Sequence, residues 1–328
     1  MPQSLPTAPL GDSGMEITRV GFGSWAIGGG DWVSSWGPQA DSDSVSAIRH
    51  AIESGVNWID TAAVYGLGHS EEVVAQALEG YSDADRPFVF TKGGLIWDES
   101  NRRAASSRRG DEASIRGGVD ASLRRLGVDA IDLYFMHWPA TDGTAVEDYW
   151  QTLVDLRSEG KLKAIGLSNH DRGQVERAEE LGHVDAVQPP FSAINPAAAA
   201  ELLPSCAKNQ TGAVVYSPMG SGLLTGRFSA ERVASLAEDD WRGKHGSFTT
   251  DLDANLAIAD AMTRVAERYG VSTATVAVAW VLGFEGVTGA IVGARSPEQV
   301  DGWVPAASLT LTAEDYAEIV AGAPAIAK

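Results

Sequence analysis

From Val20 almost to the C-terminus, short apolar runs alternate with longer stretches whose apolar residues recur every three or four positions. The short runs read as strands at residues 20–26, 56–60, 88–91, 131–137, 164–168, 186–188, 213–217 and 290–293. Between them Val45, Ile48 and Ile52 form a helical stripe that Gly55 stops; Ile115, Val119, Leu123 and Leu126 form another, ended by Gly127. Ser70 is placed as an N-cap, with Glu71 and Glu72 at the positive end of the helix behind it. Val154 and Leu156 precede Gly160, again a helix stop, and the alanine run 197–200 reads as helix. The most apolar stretch, 271–284, is broken by Ser272, Thr273, Thr275 and Gly283, so it predicts a core-facing helix too short to span a bilayer.

Regular alternation of strand and helix predicts parallel strands joined by helical crossovers. Strand number alone leaves a closed barrel and an open doubly wound sheet both standing. No Gly-x-Gly-x-x-Gly turn follows an early strand, as a dinucleotide-binding open sheet would usually require. The triplet Gly28-Gly29-Gly30 lacks that spacing and reads as a flexible loop. No linker divides the 328 residues, so the expectation is a single domain over 1–328, an α/β barrel with strands at about 20–293 and a C-terminal helix and tail at 297–328.

Composition narrows the partners. The net charge of −19 is spread along the chain and would repel nucleic acid and anionic membranes, so a small-molecule partner is expected and any anionic ligand needs a local basic pocket. The single cysteine, Cys206, rules out an internal disulfide framework and suits a reducing compartment. Residues 1–16 carry no signal-like apolar core, which together with Cys206 gives a cytoplasmic expectation. The six histidines have no metal-ligand spacing, so no metal is expected. Oligomeric state is left open.

Polar residues recur at the C-terminal ends of the expected strands: Asp60 and Thr61, Lys92, His137, Ser168 and Asn169, Gln188, and Ser217. In a barrel these ends form the active-site mouth, where residues distant in sequence converge. Each alone has a plain structural reading: Asp60 as a cap, Lys92 as a solvated charge, His137 as a satisfied core histidine. Together with Tyr65 they have a chemical logic. Reducing a carbonyl requires a proton at the developing alkoxide, and tyrosine is a weak acid with a pKa of about 10. A nearby ammonium lowers that value, and a carboxylate keeps the ammonium charged and oriented.

The same residues fall in an ordered set of short motifs. Gly21-Phe-Gly-Ser-Trp25, Asn57-Trp-Ile-Asp-Thr-Ala62, Tyr65-Gly66 and Ser70-Glu71 come first. Thr91-Lys92, Ser122-Leu-Arg-Arg-Leu126, Ile131-Asp-Leu-Tyr134, His137-Trp-Pro139 and Ser168-Asn169 follow. Gln188-Pro-Pro190, Tyr216-Ser-Pro218, Gly222-Leu-Leu-Thr-Gly226 and Gly293-Ala-Arg-Ser-Pro297 close the series. Each is weak, but their order resembles the aldo-keto reductase family from Gly21 to Pro297, most closely its bacterial NADPH-dependent reductases. The resemblance implies a (β/α)8 barrel that moves hydride between NADP and an aldehyde, ketone or alcohol. It implies Tyr65 as proton donor, Lys92 and Asp60 as its polarising pair, and His137 as the group that orients the substrate carbonyl. Ser168, Asn169 and Gln188 match the nicotinamide carboxamide contacts, and Tyr216 the ring beneath the nicotinamide. Ser217, Met219, Ser221 and Leu223 match the pyrophosphate loop; Gly293, Arg295, Ser296 and Gln299 match the adenosine end, with Arg295 and Ser296 at the 2′-phosphate.

Two positions depart from the family pattern: Phe191 stands where many relatives carry tyrosine, and Gly302 and Trp303 stand where an acid and an asparagine touch adenine. Trp303 reads as packing at the barrel end. Trp25 and Trp138 adjoin motif residues and read as walls of the substrate pocket, whereas Trp32, Trp36 and Trp97 suit either a wall or a core. Arg102, Arg103, Arg108 and Arg109 cluster after the third strand; the cluster suits a phosphorylated or carboxylated substrate, but such runs are more often solvated, and at least two are expected to pair with Asp98, Glu99, Asp111 or Glu112. Glu238, Asp239 and Asp240 read as a solvated loop. Two other functions share the family's motifs: a sugar or polyol dehydrogenase working oxidatively, and a non-catalytic NADPH-binding regulatory subunit of the potassium-channel β type, which generally lacks the histidine present here as His137.

Overall fold

The computed structural model describes residues 4–82, 84–236 and 240–321. Eight parallel strands close into a barrel: β1 (Val20–Gly23), β2 (Trp58–Asp60), β3 (Phe88–Gly93), β4 (Ile131–Met136), β5 (Leu162–Ser168), β6 (Ala186–Gln188), β7 (Gly212–Val215) and β8 (Gly289–Gly293). Each is hydrogen-bonded to its sequence neighbours, and β8 returns to β1 through Gly293 opposite Gly23. Helices α1 (Asp41–Glu53), α2 (His69–Leu78), α3 (Glu112–Leu126), α4 (Val146–Ser158), α5 (Arg172–Glu179) and α6 (Leu202–Asn209) follow β1 to β6 in turn. The short α7 (Ala230–Ala234), then α8 (Leu252–Tyr269) and α9 (Thr273–Leu282), lie between β7 and β8, and α10 (Pro297–Asp301) and α11 (Ala313–Ala321) follow β8.

All eight expected strands are present, 186–188 with the expected bounds and the others with shifted ends. β1 stops at Gly23 because Ser24 donates to the carbonyl of Asp60 at 2.9 Å and the chain turns into a 3-10 segment, Trp25–Ile27. β3 runs beyond Thr91 to Gly93, so Lys92 lies within the sheet. The alanine run forms a 3-10 turn, Ala197–Ala199, ahead of α6. Ser70 is not a cap: α2 begins at His69 behind Gly68, and the buried Ser70 hydroxyl is 2.8 Å from the hydroxyl of Ser24 and 3.1 Å from that of Thr61. Two hairpins carried no recognisable signal. Thr7–Pro9 and Glu16–Thr18 close the bottom of the barrel, while Leu95–Ile96 and Ser107–Arg108 stand beside its mouth.

The interior of the barrel is apolar and separate from the shell between strands and helices. Trp58, Phe90, Leu133, Phe135, Val214 and Ile291 fill it, and Leu10, Met15 and Ile17 seal it from below. Gly21 explains part of this packing, because a Cβ there would fall 2.1 Å from the Trp58 ring. Such an overlap cannot be absorbed in an interior packed at crystal-like density. Phe191 and Trp303 belong to the outer core; Phe191 packs on Trp280 and Phe284 at centroid distances of 5.6 and 4.9 Å. α9 is buried along its length, and no helix among the described residues is long and apolar enough to cross a membrane.

Candidate active site

A cleft of about 850 Å³ opens at the C-terminal ends of the strands, where barrel enzymes build their sites. Register brings the polar residues together: Gly23 pairs with Asp60, Asp60 with Phe90 and Gln188 with Ser168. At the cleft floor the Lys92 ammonium donates to Asp60 Oδ1 at 2.6 Å and to the Thr61 carbonyl at 2.8 Å. It stands 3.4 Å from the Tyr65 hydroxyl. Gln188 Nε2 donates to the second Asp60 oxygen at 2.8 Å, so both carboxylate oxygens are held. The His137 ring meets Tyr65 edge-on, with centroids 5.8 Å apart.

Backbone geometry delivers Tyr65 to this point. Gly66, Leu67 and Gly68 all have positive φ, at 62°, 60° and 103°, so the chain turns back directly after the tyrosine. Gly66 also lies against Gly28, where a Cβ on Gly66 would come 2.0 Å from the Gly28 carbonyl oxygen. The triplet expected to be a flexible loop therefore begins with a tightly packed contact that only two glycines permit.

Electrostatics corrects one expectation. Burial, reinforced by the Asp60 carboxylate, holds the Tyr65 phenol well above its ordinary value of 10.0, so the net shift is upward even with the ammonium 3.4 Å away. Burial raises Asp60 and lowers Lys92, each opposed by the other's charge. Burial, then the charges of Lys92 and Arg108, holds His137 well below 6.5, so its imidazole is neutral. A protonated phenol and a neutral imidazole are what a proton donor and a hydrogen-bonding partner need at physiological pH.

Ser168, Asn169 and Tyr216 form a second connected group. Tyr216 donates to Asn169 Oδ1 at 2.7 Å, Asn169 Nδ2 donates to the His137 carbonyl at 2.9 Å, and Ser168 donates to the Gln188 carbonyl at 3.0 Å. Asn169, Ser217 and Ser221 have positive φ at 64°, 56° and 56°, a strained conformation that tends to mark functional backbone. Of the expected site residues, Trp25, Asp60, Tyr65, His137, Trp138, Ser168, Asn169, Gln188, Tyr216, Ser217, Met219, Ser221, Gly293, Arg295 and Gln299 line the cleft. Lys92 lies buried beneath it, Leu223 is wholly buried, and Ser296 stands at the N-cap position of α10 without a side-chain capping bond. Trp32 and Trp36 line the wall, whereas Trp97 bonds to Glu99 outside it.

Arg295 makes no ion pair with the described residues and is held by its own surroundings. Its Nε donates to Gln39 Oε1 at 2.7 Å, Nη1 to the Trp36 carbonyl at 3.1 Å, and Nη2 to the Pro38 carbonyl. In the arginine cluster only Arg109 finds an expected partner, Asp111 at 2.9 Å; Arg103 pairs instead with Asp31 at 3.2 Å. Sequence reasoning missed Arg227, Arg232 and Arg242, which line the cleft on the segment after Gly226. Arg242 is paired with Asp240 at 2.6 Å, and Glu238 and Asp239 lie outside the described residues. The missed signal was three arginines in a short stretch of an acidic chain.

These features fit a dinucleotide. Two residues that line the cleft carry buried donors without partners among the described residues, Trp36 Nε1 and Trp303 Nε1, and the unpaired His137 Nδ1 donates or accepts according to its tautomer. It also has small residues at Ser217, Ser221, Gly222 and Gly293, and arginines at its rim. Unmet buried donors cost about 1–3 kcal/mol each, so a ligand that meets them gains affinity.

An α/β barrel with an acid–base cluster at its mouth is an enzyme architecture. The model of the Aldo/keto reductase family matches residues 19–323, and the chain belongs to that family. It is 32% identical over 312 residues to aldo-keto reductase YhdN of Bacillus subtilis (strain 168), covering 94% of this chain and 91% of that one. It is 33% identical over 320 residues to the NADH-specific methylglyoxal reductase of Escherichia coli (strain K12), covering 94% and 95%. Among solved structures, a glycerol dehydrogenase from Gluconobacter oxydans superposes with a TM-score of 0.85 at 35% identity, covering 94% of this chain and 92% of that one. The protein is therefore an oxidoreductase of carbonyls and alcohols that works with a nicotinamide cofactor, and the regulatory-subunit reading falls away.

Proposed function

We propose that this protein reduces an aldehyde or ketone to the alcohol with NADPH, Tyr65 supplying the proton. The observation that carries this reading is the Tyr65 hydroxyl 3.4 Å from an ammonium that Asp60 and Thr61 fix in place. When bound, the nicotinamide supplies the hydride. Tyr65 stays protonated across the physiological range and gives its proton to the oxygen as negative charge develops there. Lys92 then stabilises the phenolate left behind, and Asp60, gripped by Gln188, keeps Lys92 charged. Neutral His137 donates a hydrogen bond that orients the substrate oxygen. Asn169 and Ser168 hold the carboxamide and Tyr216 lies beneath the ring, while Ser217, Met219 and Ser221 offer backbone N–H groups to the diphosphate. Trp25 and Trp138 exclude water from the reacting atoms.

Tyr65→Phe tests the assignment. Turnover followed by nicotinamide absorbance should fall by about 10²–10⁴, the usual range for a lost general acid, while cofactor affinity holds. Full turnover in the variant, with chemistry limiting, would exclude Tyr65 as the donor. A second reading, oxidation of a polyol with NAD⁺, is favoured by the glycerol dehydrogenase likeness, the named specificity of the E. coli relative and the engagement of Arg295 with its own loop. Rates with both cofactors in both directions decide between the two.

A further inference from the structure

Four arginines follow β3, and three are occupied. Arg103 pairs with Asp31 at 3.2 Å, Arg109 with Asp111 at 2.9 Å and Asp142 at 3.3 Å, and Arg102 donates to the Gly66 carbonyl at 3.3 Å. Arg108 is different. Its backbone is fixed in the hairpin opposite Leu95, and its guanidinium carbon lies 4.3 Å from the centroid of the Trp138 ring. Among the described residues no carboxylate, carbonyl or hydroxyl accepts a hydrogen bond from its side chain. It is half-buried and lines the cleft with Tyr65 and His137, close enough that its charge helps keep the imidazole neutral.

Such an arrangement needs a reason in a chain with 44 acidic and 25 basic residues. Most arginines here, even exposed ones, find an acid; this one lies over a tryptophan ring, and among the described residues its N–H groups are unused. Stacking occupies the face of a guanidinium and leaves its in-plane N–H groups directed outward, the geometry that accepts a carboxylate or phosphate through two parallel bonds. Arg227 and Arg232 also line the cleft without an acid partner, but they follow the small-residue turn assigned to the diphosphate. Arg108 comes instead from the loop that also brings Leu95, Ala105 and Ser106 to the cleft.

We propose that the substrate is a carbonyl compound bearing an anionic group, carboxylate or phosphate, and that Arg108 receives that group while Trp138 supports the guanidinium. This rests on the carbonyl-reducing reading and names its substrate class. The anionic end of such a molecule would bind poorly in so acidic a protein without a local cation, so Arg108 acts as a specificity residue and takes no part in proton transfer.

Three matched pairs of aldehydes test it: butanal and succinic semialdehyde, benzaldehyde and para-carboxybenzaldehyde, glyceraldehyde and its phosphate. The charged member of at least one pair should have the higher kcat/KM, by roughly 10–100-fold, as a charge-assisted hydrogen bond implies. The carboxylate and phosphate arms separate the two sources of charge. Arg108→Gln should remove the difference through KM, with the neutral aldehydes altered by less than about threefold, a change of under 1 kcal/mol, and Arg108→Lys should restore part of it. Dissociation constants for the same aldehydes, read by tryptophan fluorescence with oxidised cofactor so that no reduction occurs, give a readout independent of turnover. Charged aldehydes that bind and react no better than neutral ones, or an Arg108→Gln variant that weakens both alike, would overturn the proposal while leaving the reductase reading intact. Binding that depends on Arg108 without turnover of any aldehyde would uphold anion recognition and defeat the reductase reading.

Discussion

Arg295 carries the question of cofactor choice at the scale of a single residue. A guanidinium has five N–H donors, and Gln39, Trp36 and Pro38 engage Nε, Nη1 and Nη2, which leaves two free for a 2′-phosphate. A charge-assisted bond is worth about 1.5–3 kcal/mol, or roughly 10–150-fold in affinity, and solvent at the rim trims it toward the lower value. Arg295→Leu should therefore weaken NADPH at least about tenfold and leave NADH nearly unchanged, with the difference shrinking at high salt. Because the residue also braces the loop at 36–39, Gln39→Ala is the control: it frees the brace and keeps the cation, so NADPH preference should survive. Dissociation constants from fluorescence quenching decide it. Equal losses for both cofactors in Arg295→Leu would make the residue a brace and nothing more.

Between residue and molecule, the elements beneath the site are tied by a group that the motifs predicted only as a string. The buried Glu71 on α2 accepts from Thr91 Oγ1 at 2.6 Å and from Arg125 Nε of α3 at 2.6 Å. Thr91 adjoins Lys92, and the Arg125 chain lies against Gly68, 2.9 Å from where a Cβ would stand. Breaking a buried ion pair costs more than losing a neutral hydrogen bond, because one charge is left without compensation. Glu71→Gln should cost about 3 kcal/mol and Thr91→Val about 1 kcal/mol, read from urea midpoints. The reverse order would show that the ion pair adds little. This group also marks the limit of what the chain disclosed. Apolar periodicity located all eight barrel strands, because each repeats one physical pattern over a few residues. Strand-end polarity placed Asp60, Lys92, His137, Asn169 and Gln188 at one mouth. Long-range pairing left no local trace: Glu71 reads as a helix-dipole acid until Arg125 stands beside it, and Arg295 as a free cation until Gln39 and the carbonyls beside it close around it. Ser70 was misplaced for the same reason, since its partners are Ser24 and Thr61 from other strands' ends.

Taken as one cooperative unit, the barrel depends on two histidines that are buried uncharged. His170 is held by the Tyr149 hydroxyl at 2.7 Å and the Ser168 carbonyl at 2.8 Å, and burial lowers its pKa to about 4; His137 is lowered too, by burial and then by the charges of Lys92 and Arg108. In the unfolded chain both would titrate near 6.5. Below that pH the unfolded state binds more protons than the native state, so stability must fall as pH falls. For His170 the loss runs from about 6.5 to about 4 and stops there, because below 4 the native imidazole also protonates. That span amounts to about 3 kcal/mol, and His137, also lowered, adds loss in the same direction as pH falls below 6.5. Carboxylates behave differently: hydrogen bonds from Gly110 and Thr144 lower Asp142 to about 2, and bonds from Arg86, Lys163 and Val89 lower Asp132 despite its burial. Their stabilisation is lost only below about 4, where the unfolded acids protonate. Urea midpoints at pH 7, 6, 5 and 4 should therefore decline well before the carboxylates titrate. His170→Asn, which keeps a polar side chain and removes the titration, should flatten the slope between 6.5 and 4 even if it lowers the midpoint at pH 7. A wild-type midpoint constant from pH 7 to 5 would show that these imidazoles are not held neutral.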